Sequence, residues 1–505
     1  MGNNQLKAGV TLSYIAIGLN SIIGLIYTPV MLYYMGKSEY GLYSLGASII
    51  AYLTVLDFGF SNAVIRYTAK YRSKKESEKL CGIYGMFFAI YFVISVIALI
   101  MGFILLMNID QIFGSALSGG ELRRLGIIVK LMIFNLVFTF VFGMFGSIIT
   151  AYEKFIFQKG VNIIRIMLNP IVMIVLLING YRSIAMVVVM TILNVLTLLL
   201  SCWYCFYRLK IRISFEGVDV DLLKEIIVYS VWIFLALIVD KLYWSSGQFI
   251  LGIYKGTSDV AVYAIAMQLV SLYINFSTAI SGVFLPKVTG MVANNASDKS
   301  ISDFFIKTGR LQYIVVIYVL LGFVVFGEKF ILFWAGEEYD GAYYMALIIF
   351  VPLVVPLIQN IGIQILQAKN KVRFRSVVYA LISMFSLLVS IPLTHKYGGI
   401  GAAIGTSFAL IIGQIIVMNI YYKEKIKINI SGFWREISKM SLSPLLIGVV
   451  FYFVSNQFSI ENFYSLFFGF VCFSCIYFPI IWFTSLNGYE RTLFSTSLLH
   501  IVNKR

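Results

Sequence analysis

The sequence predicts an all-α polytopic membrane protein with about fourteen transmembrane helices, and three observations carry that reading. Sixty per cent of the 505 residues are hydrophobic and only 12% are charged, a balance outside the range of water-soluble domains. The apolar residues gather in runs of about twenty or more, the length a helix needs to cross a bilayer at 1.5 Å rise per residue. The runs also lack the apolar–polar alternation in segments of about ten residues that marks barrel strands.

In chain order the runs lie near 10–35, 42–65, 82–107, 125–151, 161–179, 184–207, 226–253, 260–285, 311–334, 342–366, 376–394, 400–422, 440–456 and 464–484. The first is too long for a signal-peptide core and has no small-residue cleavage site, so it is expected to remain as the first span. Pro352 and Pro356 stand one turn apart in the tenth, which makes it the span expected to bend. The connections are too short to hold a folded soluble domain.

The 39 lysines and arginines give the orientation. Thirty fall on the side shared by both termini, eight on the other, and Lys241 falls within a span. The positive-inside rule therefore places both termini in the cytoplasm. Most of the +16 net charge is thus a topology signal and not a nucleic-acid footprint. Five cysteines form no disulfide framework.

The sequence also repeats itself. Tyr34, Gly36, Ser38, Glu39, Gly41 and Tyr43 match Tyr254, Gly256, Ser258, Asp259, Ala261 and Tyr263 at a displacement of 220, and Ala151 and Lys154 match Ala368 and Lys371 at 217. The repeat unit is six spans, an even number, so its copies share an orientation in the membrane. The expected organisation is an N-terminal six-helix lobe at 1–209, a pseudo-symmetric second lobe at 210–422, and an added helix pair with a cytoplasmic tail at 423–505.

Two stretches resemble a known family. Gly36-Lys-Ser-Glu-Tyr-Gly-Leu-Tyr43 and Leu56-Asp-Phe-Gly-Phe-Ser-Asn-Ala-Val-Ile-Arg66-Tyr67 are similar to the N-terminal signature of bacterial polysaccharide repeat-unit flippases of O-antigen or capsule type. These belong to the multidrug/oligosaccharidyl-lipid/polysaccharide exporter superfamily. The resemblance covers spans one to twelve. It implies a two-lobed, alternating-access transporter of the bacterial inner membrane that carries polyprenyl-pyrophosphate oligosaccharides to the outer leaflet. It also implies membrane lipids and the glycan polymerase machinery as partners, no cofactor and no catalysis. Muropeptide-lipid flippases of the same superfamily carry charges in span one, and Val10 to Met35 has none.

An ionisable residue in mid-span costs roughly 2.5–3.5 kcal/mol on insertion scales and marks a functional site by default. Asp240 and Lys241 lie near the middle of the seventh run. Lys241 is a candidate cation for a diphosphate, with Ser245 and Gln248 on its helical face and Trp244 close by; the plainer role is packing through partners on other helices. Asp240 is not expected to be the simple partner of Lys241, because adjacent helical residues project about 100° apart. Asp240 and Asp57 are candidates for ion coupling, although Asp57, two residues before Gly59, also suits acceptance of backbone donors freed at a loosened helix. Arg66 and Arg165, placed near the cytoplasmic ends of spans two and five, are candidates for drawing in the headgroup, against simple snorkelling. Gln359, Asn360 and Gln364 on span ten are candidate sugar-binding amides; Asn135 and Asn194 join the same intramembrane set, where helix-to-helix bonding is the majority role.

Other patterns carry less. Cys202-x-x-Cys205 and Cys472-x-x-Cys475 sit in apolar helices without nearby histidine, so no metal site is expected, and no P-loop is present. Two alternatives to the flippase stand: a drug or cation exporter of the same superfamily, which would carry acidic cavity residues, and a membrane-embedded polymerase, which would need a large catalytic outer loop.

Overall fold

The computed structural model describes residues 2–215, 220–369, 371–457, 460–493 and 495; His500, Lys504 and Arg505 lie outside the described residues. The helices are α1 (Gly2–Met35), α2 (Lys37–Leu53), α3 (Phe60–Ser73), α4 (Ser77–Met107), α5 (Ile109–Phe113), α6 (Gly119–Ala151), α7 (Phe155–Ile178), α8 (Ser183–Tyr207), α9 (Val220–Trp244), α10 (Ser246–Tyr254), α11 (Thr257–Ala293), α12 (Asp298–Ala335), α13 (Gly341–Ile358), α14 (Ile361–Ala368), α15 (Val372–Ala409), α16 (Met418–Glu424), α17 (Ile430–Ser455) and α18 (Phe463–Thr484). Side-chain caps start several of them: Ser118 and Glu121 form a reciprocal capping box on α6, and Asn462 and Ser465 do so on α18.

Among the described residues thirteen stretches are long and apolar enough to cross a membrane. One of them, Phe374–Glu424, is two crossings. Gly398 breaks it with φ 60° and ψ −137°, and Ser386 Oγ donates to the Gly405 carbonyl at 3.0 Å. A straight helix would hold those residues about 28 Å apart. The chain doubles back between them, which restores the fourteen crossings expected from the sequence.

Packing sorts the helices into two compact units, Met1–Ala264 with Leu387–Ala402, and Ile265–Ser386 with Ala403–Arg505. The first is built on α6, which packs against α2, α3, α4 and α8; Leu125, Ile128, Val129, Phe145, Ile148 and Ile149 are fully buried on it. The second is built on α12, with α13, α17 and α18 around it. In lipid such contacts are held by close packing and hydrogen bonds, since the surroundings are already apolar. The boundary between these packed units falls inside α11, since α9 and α10 pack on α2 and α3.

The sequence repeat has a counterpart in backbone geometry. Gly36 and Gly256 both adopt the left-handed φ that favours glycine, 78° and 84°. Each ends one helix and starts the next: Gly36 N–H donates to Leu32 O at 2.9 Å and Gly256 N–H to Leu251 O at 3.1 Å, while their carbonyls accept from Tyr40 at 3.2 Å and Val260 at 3.3 Å. At the other displacement, Lys154 N–H closes on Ile149 O at 3.1 Å and Lys371 N–H on Leu366 O at 2.8 Å.

The two glycine turns meet in the first unit. Glu121 Oε1 accepts from Ser38 Oγ and from Thr257 Oγ1, both at 2.7 Å, while Oε2 accepts from the Ser118 N–H at 3.0 Å and its hydroxyl at 2.8 Å. A Cβ added at Gly41 would sit well inside van der Waals contact with the Thr257 carbonyl. Gly41→Ala is therefore expected to part this seam at a cost of about 1–3 kcal/mol. Thermal melting of the detergent-solubilised protein reads it; an unchanged melting temperature would mean that α2 and α11 do not meet closely in solution.

Candidate functional site

Helices α6, α7 and α8 of the first unit each bring a polar side chain to the middle of their length: Asn135, Arg165 and Asn194. Asn194 is the hub. Its Nδ2 donates to Asn135 Oδ1 at 2.7 Å and to Thr139 Oγ1 at 2.8 Å. That leaves its Oδ1 turned to Arg165, whose Nη1 donates to it at 3.0 Å, while Nη2 reaches Asn162 Oδ1, one turn earlier, at 3.3 Å.

Arg165 is half-buried and stands near the middle of α7, which begins at Phe155, six residues before the apolar run. The polar stretch before residue 161 is helical: Gln158 accepts from Thr150 Oγ1 at 2.8 Å and donates to the Gly146 carbonyl at 3.2 Å. Among the described residues Arg165 forms no ion pair, and its acceptors are neutral amide oxygens. The site therefore keeps a net positive charge, and a guanidinium has five N–H donors with which to meet a further acceptor.

The Asp240–Lys241 expectation needs a correction. Lys241 Nζ lies 3.9 Å from Asp240 Oδ2, so the two do pair. The Cβ atoms diverge, but the four-carbon stem of lysine lets the ammonium fold back. The side chains are 32% and 55% exposed, which marks a loose pair. Helix α9 ends at Trp244, which packs edge-on against Tyr243. Ser245 (φ −106°) opens the next turn, and the bonds Ser245 N–H to Lys241 O, 2.9 Å, and Phe249 N–H to Ser245 O, 3.4 Å, carry the helical course on to Gln248.

Asp57 ends a short 3₁₀ turn, Thr54–Asp57, where span two breaks between α2 and α3 at the left-handed Phe58 and Gly59. Its Oδ1 accepts from Ser61 Oγ at 3.0 Å and from the Tyr91 hydroxyl at 3.1 Å. Arg66, on α3, is exposed, with its guanidinium 5.8 Å from the Tyr67 ring centre.

In the second unit span ten breaks between α13 and α14, and the amides at the break bond to neighbouring helices. Gln359 and Asn419 exchange bonds at 2.9 and 3.3 Å. Asn360 donates to Ser281 Oγ at 3.0 Å and Gln364 to Ser281 O at 2.8 Å. The sequence reading did not anticipate Asn162 or Thr139, whose signal is their spacing of three or four residues from Arg165 and Asn135.

Fourteen helical crossings, one of them carrying an arginine held among amides at mid-helix, define a multi-pass membrane protein of transporter fold. Two solved structures agree. The lipid II flippase MurJ, in an inward closed conformation, matches with a TM-score of 0.73 over 94% of this chain and 99% of that one, at 17% identity. A multidrug resistance MATE family transporter of the MOP superfamily, facing inward, matches at 0.60 over 83% and 95%, at 13% identity. Residues 6–292 match the family described as polysaccharide biosynthesis protein, and the chain belongs to that family. A Shigella flexneri protein designated an O-antigen transporter is 19% identical over 394 residues, 77% of this chain and 90% of that one.

Proposed function

We propose that the protein is a flippase that moves polyprenyl-pyrophosphate-linked oligosaccharide repeat units from the cytoplasmic to the outer leaflet for surface polysaccharide synthesis. The observation that carries this reading is Arg165, a guanidinium at the middle of α7 bonded to neutral amides. Such a group suits a diphosphate in transit, because it offers a forked, permanent charge with no internal carboxylate to displace. Lys241 would supply a second, mobile charge after release from its loose pair with Asp240. The amide sets around Asn194 and Gln359 suit a hydroxyl-rich chain, and the polyprenyl tail stays in lipid.

In this reading the protein lies in the bacterial inner membrane with both termini cytoplasmic. The six-helix repeats at 1–209 and 210–422 move against each other in alternating access, and no covalent bond changes. Asp57 and Asp240 remain candidates for ion coupling, and a glycan polymerase acts on the delivered units.

The test is mass spectrometry of polyprenyl-linked lipids in cells lacking the protein, with and without its restoration. The expected result is accumulation of a polyprenyl-pyrophosphate oligosaccharide that complementation reverses. Normal surface glycan with no such lipid, in a strain without a redundant transporter, would refute it.

A further inference from the structure

A cavity of about 590 Å³ opens in the first unit, where the N-terminal turns of α2, α6 and α8 meet the end of α7. One wall is apolar, formed by Leu176, Ile184, Ala185 and Val188. The rest is charged: Arg124, Arg182 and Glu39. Glu39, 4% exposed, is already engaged through both oxygens. Its Oε1 accepts from Arg124 Nη1 at 2.5 Å and its Oε2 from the Ser183 hydroxyl. Two guanidinium groups against one committed carboxylate leave the cavity positive.

Arg124 gives Nη1 to Glu39, yet its side chain stays 40% exposed. A guanidinium carries five N–H donors, so one that lines the cavity half-exposed can meet a further acceptor. Arg182 is exposed beside it, and the first N–H groups of α8, which begins at Ser183, have no acceptor within their own helix. The ligand these groups suit is an anion with several acceptor oxygens. The apolar wall adds a second requirement, a hydrocarbon segment attached to that anion.

We infer that this cavity binds an anionic phospholipid, its phosphate held by Arg124 and Arg182 and an acyl chain laid along Leu176, Ile184 and Val188. The cavity is distinct from the Arg165 cluster: Leu176 lies about 16 Å along α7 from Arg165. It does not depend on the flippase reading. A lipid bound here would clamp the α7–α8 hairpin to the first turns of α2 and α6.

Native mass spectrometry of the full chain in detergent tests it, with phosphatidylglycerol and phosphatidylcholine as probes and inorganic phosphate as the lipid-free arm. Phosphatidylglycerol is expected to be retained in preference to phosphatidylcholine. Arg182→Ala, which removes an exposed group, is expected to weaken that retention about tenfold through loss of one charge-assisted contact. Val188→Trp, which fills the cavity, is expected to abolish it. Retention unchanged in Arg182→Ala, or no preference for phosphatidylglycerol in the native chain, would overturn the inference. So would thermal stabilisation by inorganic phosphate equal to that by phosphatidylglycerol, since a bare anion site needs no acyl wall.

Discussion

Arg165→Ala is expected to stop glycan export while the protein still reaches the membrane in normal amount. Loss of about 2 kcal/mol of charge-assisted contact to a diphosphate corresponds to roughly a 30-fold fall in affinity for the carried lipid. Arg165→Lys keeps the charge and loses the fork, so partial export is expected from it. Asn194→Ala removes the acceptor that aims Nη1 and should fall between the two. Lys241→Ala is expected to act through the same substrate group, so its effect and that of Arg165→Ala should be less than additive. The measurement is surface glycan per cell, normalised to protein level by immunoblot. Full export by Arg165→Ala would remove the guanidinium from the transport path and leave it a packing role between α6, α7 and α8.

The second large effect concerns stability. Arg310 on α12 is bound from several sides: Nε and Nη2 grip Glu490 at 2.6 and 3.0 Å, Nη1 donates to Glu436 Oε2 at 3.1 Å, and Nη2 also donates to the Ser485 carbonyl at 3.1 Å. Glu490 is 1% exposed and the Arg310 side chain 6%. Arg310→Ala leaves Glu490 charged and buried without a counter-ion, which costs about 3–5 kcal/mol where such pairs have been broken. Melting in detergent should show a large drop, with earlier proteolysis of the chain after α18. The double variant Arg310→Met with Glu490→Leu should recover most of the loss, because the charge is then removed from both sides. No recovery would locate the cost elsewhere than in the orphaned carboxylate.

The architecture was legible because its signal is local. Every crossing is an apolar run, and the break in span two was visible in the glycine at position 59. What escaped was contact at a distance. Arg310 meets partners 126 and 180 positions away, and no periodicity in the neighbourhood of Arg310 announces them. The start of α7 was hidden for a different reason. Gln158, Lys159 and Gly160 look like a loop, yet Gln158 is satisfied by the end of α6, so the helix starts at Phe155 and Arg165 stands near its middle. For Asp240 and Lys241 the helical angle between neighbours describes Cβ atoms, whereas the interaction is decided at the end of a flexible stem.

The matched turns at Gly36 and Gly256 bear on how such a chain can diverge. Both turns keep the same dihedral sign, and in both the glycine carbonyl accepts from the N–H four residues on. At Gly36 (φ 78°, ψ 165°) a side chain with a Cβ would be penalised by roughly 1–3 kcal/mol, whereas most lipid-facing positions accept any apolar residue of similar bulk. Substitution therefore accumulates where the constraint is only hydrophobic and stalls where it is angular. Two glycines 220 positions apart that share one backbone sign thus act as fiducial marks on which the two halves of the chain can be set in register.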